Sequence, residues 1–217
     1  ASYVGEKIKQ LCPKVENIHI INFGIQNCPT HLDLKNKENI ILSTRLHKPL
    51  YNIDKIIIAF AKLQPYIQQN KQAPFKLIIA AAGSETNKLK ELAASLNLNE
   101  AQIVFTGMLS YDELLYWYQK AKFFISVPNS DATSSSLLEA MAYGCFPLVS
   151  NLPANLEWVN NINGIINNNP QCLDKDLIHA INLPLSAYVN AVEFNYNQIQ
   201  EKALFATNIQ KFLNLYQ

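Results

Sequence analysis

The sequence predicts an α/β protein built on a doubly wound, mostly parallel β-sheet. Several short apolar runs have the length and composition of buried strands, and stretches with a helical hydrophobic period separate them. This short alternation of strand and helix favours a parallel sheet covered by helices on both faces. Hydrophobic residues make up 49% of the chain, which is enough to fill such a core. A sheet of this kind is Rossmann-like and binds ligands beyond the carboxyl ends of its strands.

The apolar runs and the periodic stretches define the predicted elements. The predicted strands are Ile18–Phe23, Ile40–Ser43, Lys76–Ala81, Ile103–Phe105, Phe123–Val127, Pro147–Ser150 and Gly164–Asn167. The predicted helices between them span residues 52–67, 85–96, 111–120 and 134–143. In the first of these helices, Ile53, Ile57 and Phe60 fall on one stripe, as expected for a helix that packs on a sheet.

The two ends of the chain predict extra helices. Ser2–Leu11 reads as a helix that ends before Pro13, and we expect it to be a remnant of a preceding domain or linker. Beyond residue 170 the strand pattern stops, and Leu177–Ile181 and Glu193–Leu215 read as helices with Pro184 as a break. The predicted organisation is therefore a residual helix at 1–16, a Rossmann-like α/β domain at 17–170, and C-terminal helices at 171–217 that pack on that domain.

Composition argues against several classes of function. The net charge is +1 and no basic patch is visible, so a nucleic acid is not an expected partner. No apolar run approaches the roughly 18 residues that span a bilayer. The cysteines form no C-x-x-C pair and no histidine has zinc-ligand spacing, so we expect free thiols in a reducing cytosol and no metal; they are Cys12, Cys28, Cys145 and Cys172. Because the chain starts at Ala1, we expect it to be part of a longer protein.

The most informative segment follows the predicted strand Phe123–Val127 and is crowded with small polar side chains. These are Asn129, Ser130, Asp131, Thr133, Ser134, Ser135 and Ser136, and an apolar helix begins directly after them. Hydroxyl side chains can cap a helix, and the free backbone N–H groups of its first turn form a site for a diphosphate.

Two carboxylates border this helix start. Asp131 precedes the helix and Glu139 lies about one turn inside it, so both can face the same mouth of the sheet. Carboxylates accept hydrogen bonds from vicinal diols, which makes the hydroxyls of a sugar or a ribose natural partners. A structural interpretation stays open for Glu139, because Ser136-Leu137-Leu138-Glu139 also fits a capping box.

Arg45 is the single arginine beside 17 lysines. In a chain that otherwise uses lysine, a planar bidentate fork indicates a phosphate or carboxylate partner. Arg45 ends the predicted strand Ile40–Ser43, with Lys48 three residues on and Lys55 further along. These cations are expected to face the same cleft and to neutralise a departing nucleoside diphosphate. The alternatives are chance retention of the arginine and a solvated rim for both lysines.

Three segments jointly resemble the retaining glycosyltransferases of family 4, which have the GT-B fold. They are Ser43-Thr-Arg45-Leu, the Asp131…Glu139 segment that continues through Ala-Met-Ala-Tyr-Gly144, and Pro147-Leu-Val-Ser150. The resemblance runs from about Ile18 to Asn169. It implies the C-terminal, donor-binding half of a GT-B fold. The match of Asn22-Phe-Gly24 to the interdomain strand of the family further implies an acceptor domain upstream.

The resemblance also implies roles for individual residues. Asp131 would hold the hydroxyls of the donor sugar and Glu139 the ribose, while Arg45 and Lys48, with Lys55 in reserve, would bind the diphosphate. Further donor contacts are implied at Thr133, Ser134, Ser135, Ser136 and Leu137, at Gly107, Met108 and Leu109 beside the base, and at Gly83. The chain departs from the family in having Asp rather than Glu at position 131, and Ala81-Ala82-Gly83 where Gly-x-Gly is common.

The implied reaction is transfer of a sugar, with retention, from a UDP- or GDP-linked donor to a hydroxyl of a glycan or lipid acceptor. Neither a metal nor another cofactor is expected, and the implied setting is the cytoplasm or the inner membrane face. Without the acceptor domain, this chain should bind donor but transfer little. The alternatives are a nucleotide-sugar epimerase of GT-B fold and a non-catalytic nucleotide-binding module. His47, next to the arginine segment, is expected to be an exposed loop residue.

Overall fold

The computed structural model describes residues 2–216, in which a parallel sheet forms the centre of the molecule. Its strands are β1 (Glu38–Ser43), β2 (Lys76–Ala80), β3 (Ile103–Gly107), β4 (Ala121–Ser126), β5 (Phe146–Ser150) and β6 (Ile165–Asn167). They lie in the order β3-β2-β1-β4-β5-β6, and every pairing is parallel. The predicted doubly wound α/β fold is therefore confirmed.

Helices cover both faces of this sheet. They are α1 (Ser2–Leu11), α2 (Ile53–Gln69), α3 (Thr86–Ser95), α4 (Tyr111–Lys120), α5 (Ser135–Ala142), α6 (Pro153–Leu156), α7 (Leu173–Ile181), α8 (Leu185–Lys202) and α9 (Phe205–Leu213). The α2 helix buries the predicted stripe, with Ile57 and Phe60 fully enclosed. Each fully buried side chain of that size stabilises the fold by about 2 kcal/mol.

Alternate residues of the strands supply two separate cores. Ile41 of β1 lies in the core beneath α2, α3 and α7, whereas Ile40 and Leu42 lie in the core beneath α4 and α5. This alternation follows from the period of two along a strand. Both faces of the strands are buried, which explains why their sequences are continuously apolar rather than alternating.

The order of the strands reverses between β1 and β4, which are neighbours in the sheet. Leu42 of β1 stands opposite Phe124 of β4 in this pairing. The next connections leave β1 and β4 toward opposite sides, so a crevice opens beyond their carboxyl ends. The segments that follow β1 and β4 are the arginine and serine-rich segments of the sequence.

The predicted strand Ile18–Phe23 is wrong. Within residues 2–216 this segment pairs with no strand, and its Ile18 and Ile20 side chains lie against Gly5 of α1. Gly5 allows this approach, because a Cβ at that position would lie 2.7 Å from the Ile20 side chain. The segment stays exposed or half-buried, with Phe23 72% exposed, and an apolar run does not show by itself that a sheet will cover it.

The C-terminal helices differ from the prediction in their bounds. The helix expected at Glu193–Leu215 starts earlier, at Leu185, and is interrupted at Ala203 and Leu204. At the interruption Ile25 N–H donates to the Ala203 carbonyl (2.7 Å), and Phe205 N–H donates to the Ile25 carbonyl (2.9 Å). These bonds to a distant segment replace helical ones, so they could not be seen in the local pattern.

Candidate functional site

The crevice at the carboxyl ends of β1 and β4 is bordered by two loops that are bonded to each other. The Asn52 side-chain amide donates to the Val127 carbonyl and to Asn129 Oδ1, both at 2.8 Å. Asn129 N–H in turn donates to the Leu50 carbonyl at 2.9 Å. Asn52 has a φ of 52°, a left-handed conformation that asparagine tolerates better than most residues. The loop after β1 is thereby fixed against the loop after β4.

Arg45 lies between these loops and contacts the serine-rich segment directly. One guanidinium nitrogen, Nη2, donates to Asp131 Oδ2 at 2.7 Å. The other, Nη1, donates to Ser134 Oγ at 2.7 Å and to Ser136 Oγ at 3.3 Å. Arg45 is 12% and Asp131 18% exposed at the side chain, so this ion pair is largely shielded from water. The structure thus brings Arg45 and Asp131 into one crevice.

An aromatic ring supports the guanidinium from one side. The Arg45 Cζ atom lies 4.4 Å from the centroid of the Tyr51 ring. A guanidinium stacks on an aromatic face by a cation–π interaction of about 1 kcal/mol. Tyr51 belongs to the short 3₁₀ turn Pro49–Tyr51 that precedes α2. This turn therefore restricts the orientation of the fork.

The first turn of α5 presents free donors to the same crevice. Ser134 is the N-cap residue, but its side chain does not cap the helix and instead contacts Arg45 and Ser136 Oγ, the latter at 2.8 Å. Among residues 2–216 the amides of Ser135 and Ser136 have no acceptor, as is normal at a helix start. Thr133 Oγ1 is buried and has no hydrogen-bond partner in that part of the chain. Leu137 is buried beneath the turn.

Glu139 lies one turn further along α5 in a different environment. The capping box with Ser136 does not form, because the N-cap of the helix is Ser134 and its N3 residue is Leu137. Burial raises the pKa of the Glu139 carboxyl, and interactions with the hydroxyls of Tyr118 and Tyr111 lower it part of the way back. Glu139 is therefore a half-buried acid that interacts with two tyrosine hydroxyls and, among residues 2–216, pairs with no lysine or arginine.

The loop after β2 is attached to the Arg45 loop through His47. The Nδ1 atom of the His47 ring lies 2.8 Å from Thr86 Oγ1. The backbone N–H of His47 donates to the Ala82 carbonyl at 3.2 Å, and its backbone carbonyl accepts from the Glu85 N–H at 3.0 Å. Gly83 lies so close that a Cβ there would be 2.5 Å from the His47 carbonyl oxygen. The expectation that His47 is exposed is wrong, since it is fully buried, and this burial lowers its pKa.

The remaining predicted residues make no contact with Arg45 among residues 2–216. Gly107 has a φ of 73° and ends β3, and Met108 after it is 69% exposed. Lys48 is exposed. Lys55 pairs with Asp54 at 3.0 Å and lies near the segment Pro170–Cys172. Thr133 and Ser135 also line a cavity of about 460 Å³ whose other walls are α1 and residues 18–24.

None of the helices in residues 2–216 is long and apolar enough to cross a bilayer. Within the same residues, no three side chains of His, Cys, Asp or Glu come together as a candidate metal site.

Comparison with known proteins identifies the family. Residues 27–200 match the model of the glycosyl transferases group 1. The chain belongs to this family. As a group 1 glycosyltransferase it is 29% identical over 131 residues to the alpha-monoglucosyldiacylglycerol synthase of Streptococcus pneumoniae, covering 60% of this chain and 28% of that protein. It is 31% identical over 124 residues to the serotype-specific mannosyltransferase WbdA of Escherichia coli, covering 56% of this chain and 15% of that protein.

Solved structures show the same fold. S. aureus TarM, crystallised with UDP among its ligands, aligns with a TM-score of 0.77 at 20% identity over 98% of this chain and 42% of its own. The pneumococcal O-GlcNAc transferase GtfA, in complex with UDP and GlcNAc, aligns with a TM-score of 0.77 at 16% identity over 99% of this chain and 43% of its own. This group 1 glycosyltransferase chain therefore spans less than half the length of these relatives.

Sequence reasoning missed several residues that organise this candidate site. Tyr51 and Asn52 hold the Arg45 loop, Tyr118 and Tyr111 surround Glu139, and Thr86 bonds to His47. Asn52, immediately before an apolar stripe, carried a readable signal for a helix start. The tyrosines carried none, because their role depends on which helix α4 contacts in three dimensions.

Proposed function

We propose that this chain is the donor-binding domain of a retaining glycosyltransferase that moves a sugar from a nucleoside diphosphate to an acceptor hydroxyl. One observation carries the proposal. At the point where the strand order reverses, the only arginine of the sequence bonds to Asp131 and to the serines at the start of α5, whose first amides are free among residues 2–216, and a second carboxylate, Glu139, lies one turn further along that helix. A diphosphate flanked by two diols, as in a sugar nucleotide, matches this set of groups.

In this proposal, Arg45 and the amides of Ser135 and Ser136 bind the diphosphate. An arginine has five N–H donors, and three of them reach Asp131, Ser134 and Ser136. The remaining donors are available to phosphate oxygens beside the start of α5. Thr133 Oγ1, buried without a protein partner among residues 2–216, is a further donor for the ligand.

The two acids bind the hydroxyls on either side of the diphosphate. Asp131 holds the donor sugar, which lies toward the crevice at Thr133 and Ser135. Glu139, deeper along α5, holds the ribose. The exposed turn of Gly107, Met108 and Leu109 after β3 lies beside the base. Lys48, exposed after Arg45, is the second cation for the diphosphate, whereas Lys55 is already paired with Asp54.

The residues that hold the donor also lower the barrier to its cleavage. Negative charge grows on the diphosphate as the sugar leaves, and Arg45 with the amides of α5 is already oriented toward it. In this mechanism Arg45 and the amides of α5 neutralise the charge on the departing diphosphate, and the two acids hold the donor in the orientation that transfer needs.

Transfer also needs an acceptor-binding wall, so we propose that the full protein has an acceptor domain before residue 17 and that residues 17–170 form the donor domain. The names of the relatives, a monoglucosyldiacylglycerol synthase and a serotype-specific mannosyltransferase, support a lipid or a glycan as acceptor. The cytoplasmic face of a membrane is the setting we propose for the reaction.

The test is calorimetric titration of the chain with UDP, GDP, ADP and their sugars. We expect one of these nucleotides to bind, and Arg45→Lys to weaken it about 30-fold, since a lysine cannot reproduce the bonds of the planar fork. Asp131→Ala should weaken the binding of the sugar nucleotide more than the binding of the free nucleoside diphosphate. Glu38→Ala is the matched control, because it removes the acid of the Lys120 ion pair at the amino end of β1, far from the crevice.

Different outcomes overturn different parts of the proposal. If no nucleotide binds, or if both variants bind like the wild type, the donor site is wrong and a non-catalytic module is favoured. Exchange between isomers of the sugar nucleotide without any acceptor would instead identify an epimerase. Transfer at full rate by this chain alone would contradict the need for an acceptor domain.

A further inference from the structure

The loop that carries Arg45 is attached to its neighbours on two sides. Asn52 joins it to the loop after β4. His47 joins it to the loop after β2. His47 lies closer to Arg45 in the chain than Asn52 does, so the second attachment acts more directly on the direction in which the guanidinium leaves the backbone.

The side chain of His47 makes the shortest of its three bonds to the loop after β2. Its Nδ1 lies 2.8 Å from Thr86 Oγ1, whereas its backbone bonds to Ala82 and Glu85 measure 3.2 and 3.0 Å. A side-chain substitution can remove the bond between His47 and Thr86 and leave both backbone bonds in place. This bond can therefore be tested by itself.

The hydroxyl of Thr86 is fixed at the start of α3. It accepts from the Gly83 N–H and donates to the Gly83 carbonyl, both at 2.9 Å. Gly83 in turn lies against His47, where a Cβ would come within 2.5 Å of the His47 carbonyl oxygen. A hydroxyl that is bonded to the backbone in this way cannot follow a moving ring, so it restrains the position of His47.

The His47 ring has no contact with solvent that could replace Thr86. The residue is fully buried, and its ring lies edge-on to Phe105 of β3 with a centroid distance of 6.1 Å. Without the Thr86 hydroxyl, a buried ring nitrogen would lose its partner, which is unfavourable. We expect the loop to shift until that nitrogen finds another partner, and Arg45 would shift with it.

A shift of this loop matters because the bonds of a guanidinium are directional. The planar fork of Arg45 already bonds to Asp131 and Ser134, each at 2.7 Å, and its remaining donors point where the geometry of these bonds allows. A loop that is ordered before the ligand arrives also loses less conformational freedom on binding.

We propose that His47, through its bond to Thr86, is a positioning residue that orients Arg45 for the diphosphate. The inference rests on the proposed function, because it assumes that a nucleoside diphosphate is the ligand of Arg45. Neither His47 nor Thr86 contacts the ligand, and both act through the loop that carries the guanidinium.

The first experiment removes the bond from either side. The nucleoside diphosphate that binds best among UDP, GDP and ADP is titrated calorimetrically into the wild type, Thr86→Val and His47→Phe. Valine has nearly the shape of threonine without its hydroxyl, and phenylalanine fills the place of the ring without its nitrogens. We expect each substitution to weaken binding about fivefold, the effect of one hydrogen bond. Thr86→Ser keeps the hydroxyl and should bind like the wild type.

Thr30→Val is the matched control for the loss of a threonine hydroxyl. Thr30 Oγ1 lies 3.2 Å from the Nδ1 atom of His31, so this is a second pair of threonine and histidine, but both residues are exposed. The dissociation constant of Thr30→Val should equal that of the wild type.

The second experiment repeats Thr86→Val and His47→Phe in the Arg45→Lys background. If His47 acts through the guanidinium, either substitution should change the affinity by less than about twofold once the fork is absent. Equal weakening in both backgrounds would show that the bond only supports the fold, and the inference would be wrong. Thermal unfolding without ligand shows which variants are folded at the titration temperature, and either variant alone is sufficient for this comparison.

The outcomes separate this inference from the proposed function. If the wild type binds a nucleoside diphosphate and the folded variants bind it equally well, the inference is wrong and the donor site stands. Failure of Thr86→Ser to bind like the wild type would also contradict the inference, since the hydroxyl is then not what matters. If the wild type binds no nucleoside diphosphate, the proposed function fails and this inference fails with it.

Discussion

Asp131 lies just before α5 and Glu139 one turn inside it, and the two acids have different surroundings. Asp131 is bonded at 2.7 Å to the guanidinium of Arg45. Among residues 2–216 no lysine or arginine pairs with Glu139, and the hydroxyls of Tyr118 and Tyr111 act on its carboxyl instead. An ion pair fixes an acid by charge, so removing either charge leaves the other uncompensated. A hydroxyl cluster fixes an acid by hydrogen bonds, which a neutral group of the same shape can also make. The two halves of the site should therefore respond differently to the same chemical change.

The largest expected effect concerns the loop that holds Arg45 beside Asp131. Asn52→Ala removes two hydrogen bonds to the loop after β4, and it places alanine at a φ of 52°. We expect a loss of about 3 kcal/mol in the free energy of unfolding, measured by urea denaturation. The binding of nucleoside diphosphate should weaken as well, since the loop that carries Arg45 loses its attachment.

Asn129→Ala is the control for this change. Asn129 accepts only one of the two Asn52 bonds and is exposed, so its loss should lower the free energy of unfolding by less than about 1 kcal/mol. Equal effects of the two substitutions would contradict the structural role of Asn52.

The next effect compares the acids directly. Asp131→Asn removes the negative charge beside Arg45, and we expect the free energy of unfolding to fall by about 1.5 kcal/mol. That figure lies below the value for a fully buried pair, because the two side chains retain 12% and 18% exposure. Glu139→Gln keeps the shape and the hydrogen-bonding oxygen beside the tyrosines, so it should change the free energy of unfolding by less than about 0.5 kcal/mol.

A double-mutant cycle tests the origin of that difference. Arg45→Met combined with Asp131→Asn should be less destabilised than the sum of the single variants, because neither charge then remains unpaired. If the effects of Arg45→Met and Asp131→Asn on the free energy of unfolding simply add, the ion pair does not hold Asp131. If Glu139→Gln loses as much stability as Asp131→Asn, the two acids do not differ.

The pH dependence of stability tests the burial of Glu139. Burial raises the pKa of Glu139 above its ordinary value of 4.5, so the folded state binds this proton more tightly than the unfolded state. The stability contributed by the protonated form is complete below about pH 4.5 and is lost as the pH rises through the folded pKa. The free energy of unfolding of the wild type, relative to that of Glu139→Gln, should therefore fall as the pH rises above about 4.5 in urea denaturation. If the wild type instead gains stability relative to Glu139→Gln as the pH rises, the burial of Glu139 is contradicted.

The sequence predicted this fold where local pattern decides structure. The strands at β1 to β6 are continuous apolar runs, and Arg45 and the serines were identifiable from composition alone. The strand expected at Ile18–Phe23 failed because an apolar run does not show whether a strand or a helix will cover it. His47 was misjudged for a related reason, since a polar loop residue becomes buried when another loop packs on it.

The tyrosines around Glu139 mark the limit of sequence reasoning at the site. Tyr118 lies 21 positions before Glu139 on a separate helix, and only the packing of α4 beside α5 brings them together. An acid eight positions after another acid is readable in the sequence, but the partner of each acid is a tertiary property. The prediction of two similar carboxylates therefore missed the difference between them.

The smallest expected effect lies outside both acids, at the loop after β2. Ala81 has a φ of 73°, a conformation in which alanine is strained and glycine is not. Ala81→Gly should raise the free energy of unfolding by about 0.5 kcal/mol, because relief of about 1 kcal/mol of strain exceeds the added entropy of the unfolded chain. Ala82→Gly is the matched control: its φ is not positive, so the same substitution should lower stability by a similar amount. Thermal unfolding measures both. A loss of stability in both variants would show that the Ala81 backbone is not strained. A gain in Ala81→Gly and a loss in Ala82→Gly, with unchanged nucleotide affinity, would show that alanine at position 81 costs a little stability and that neither acid is involved.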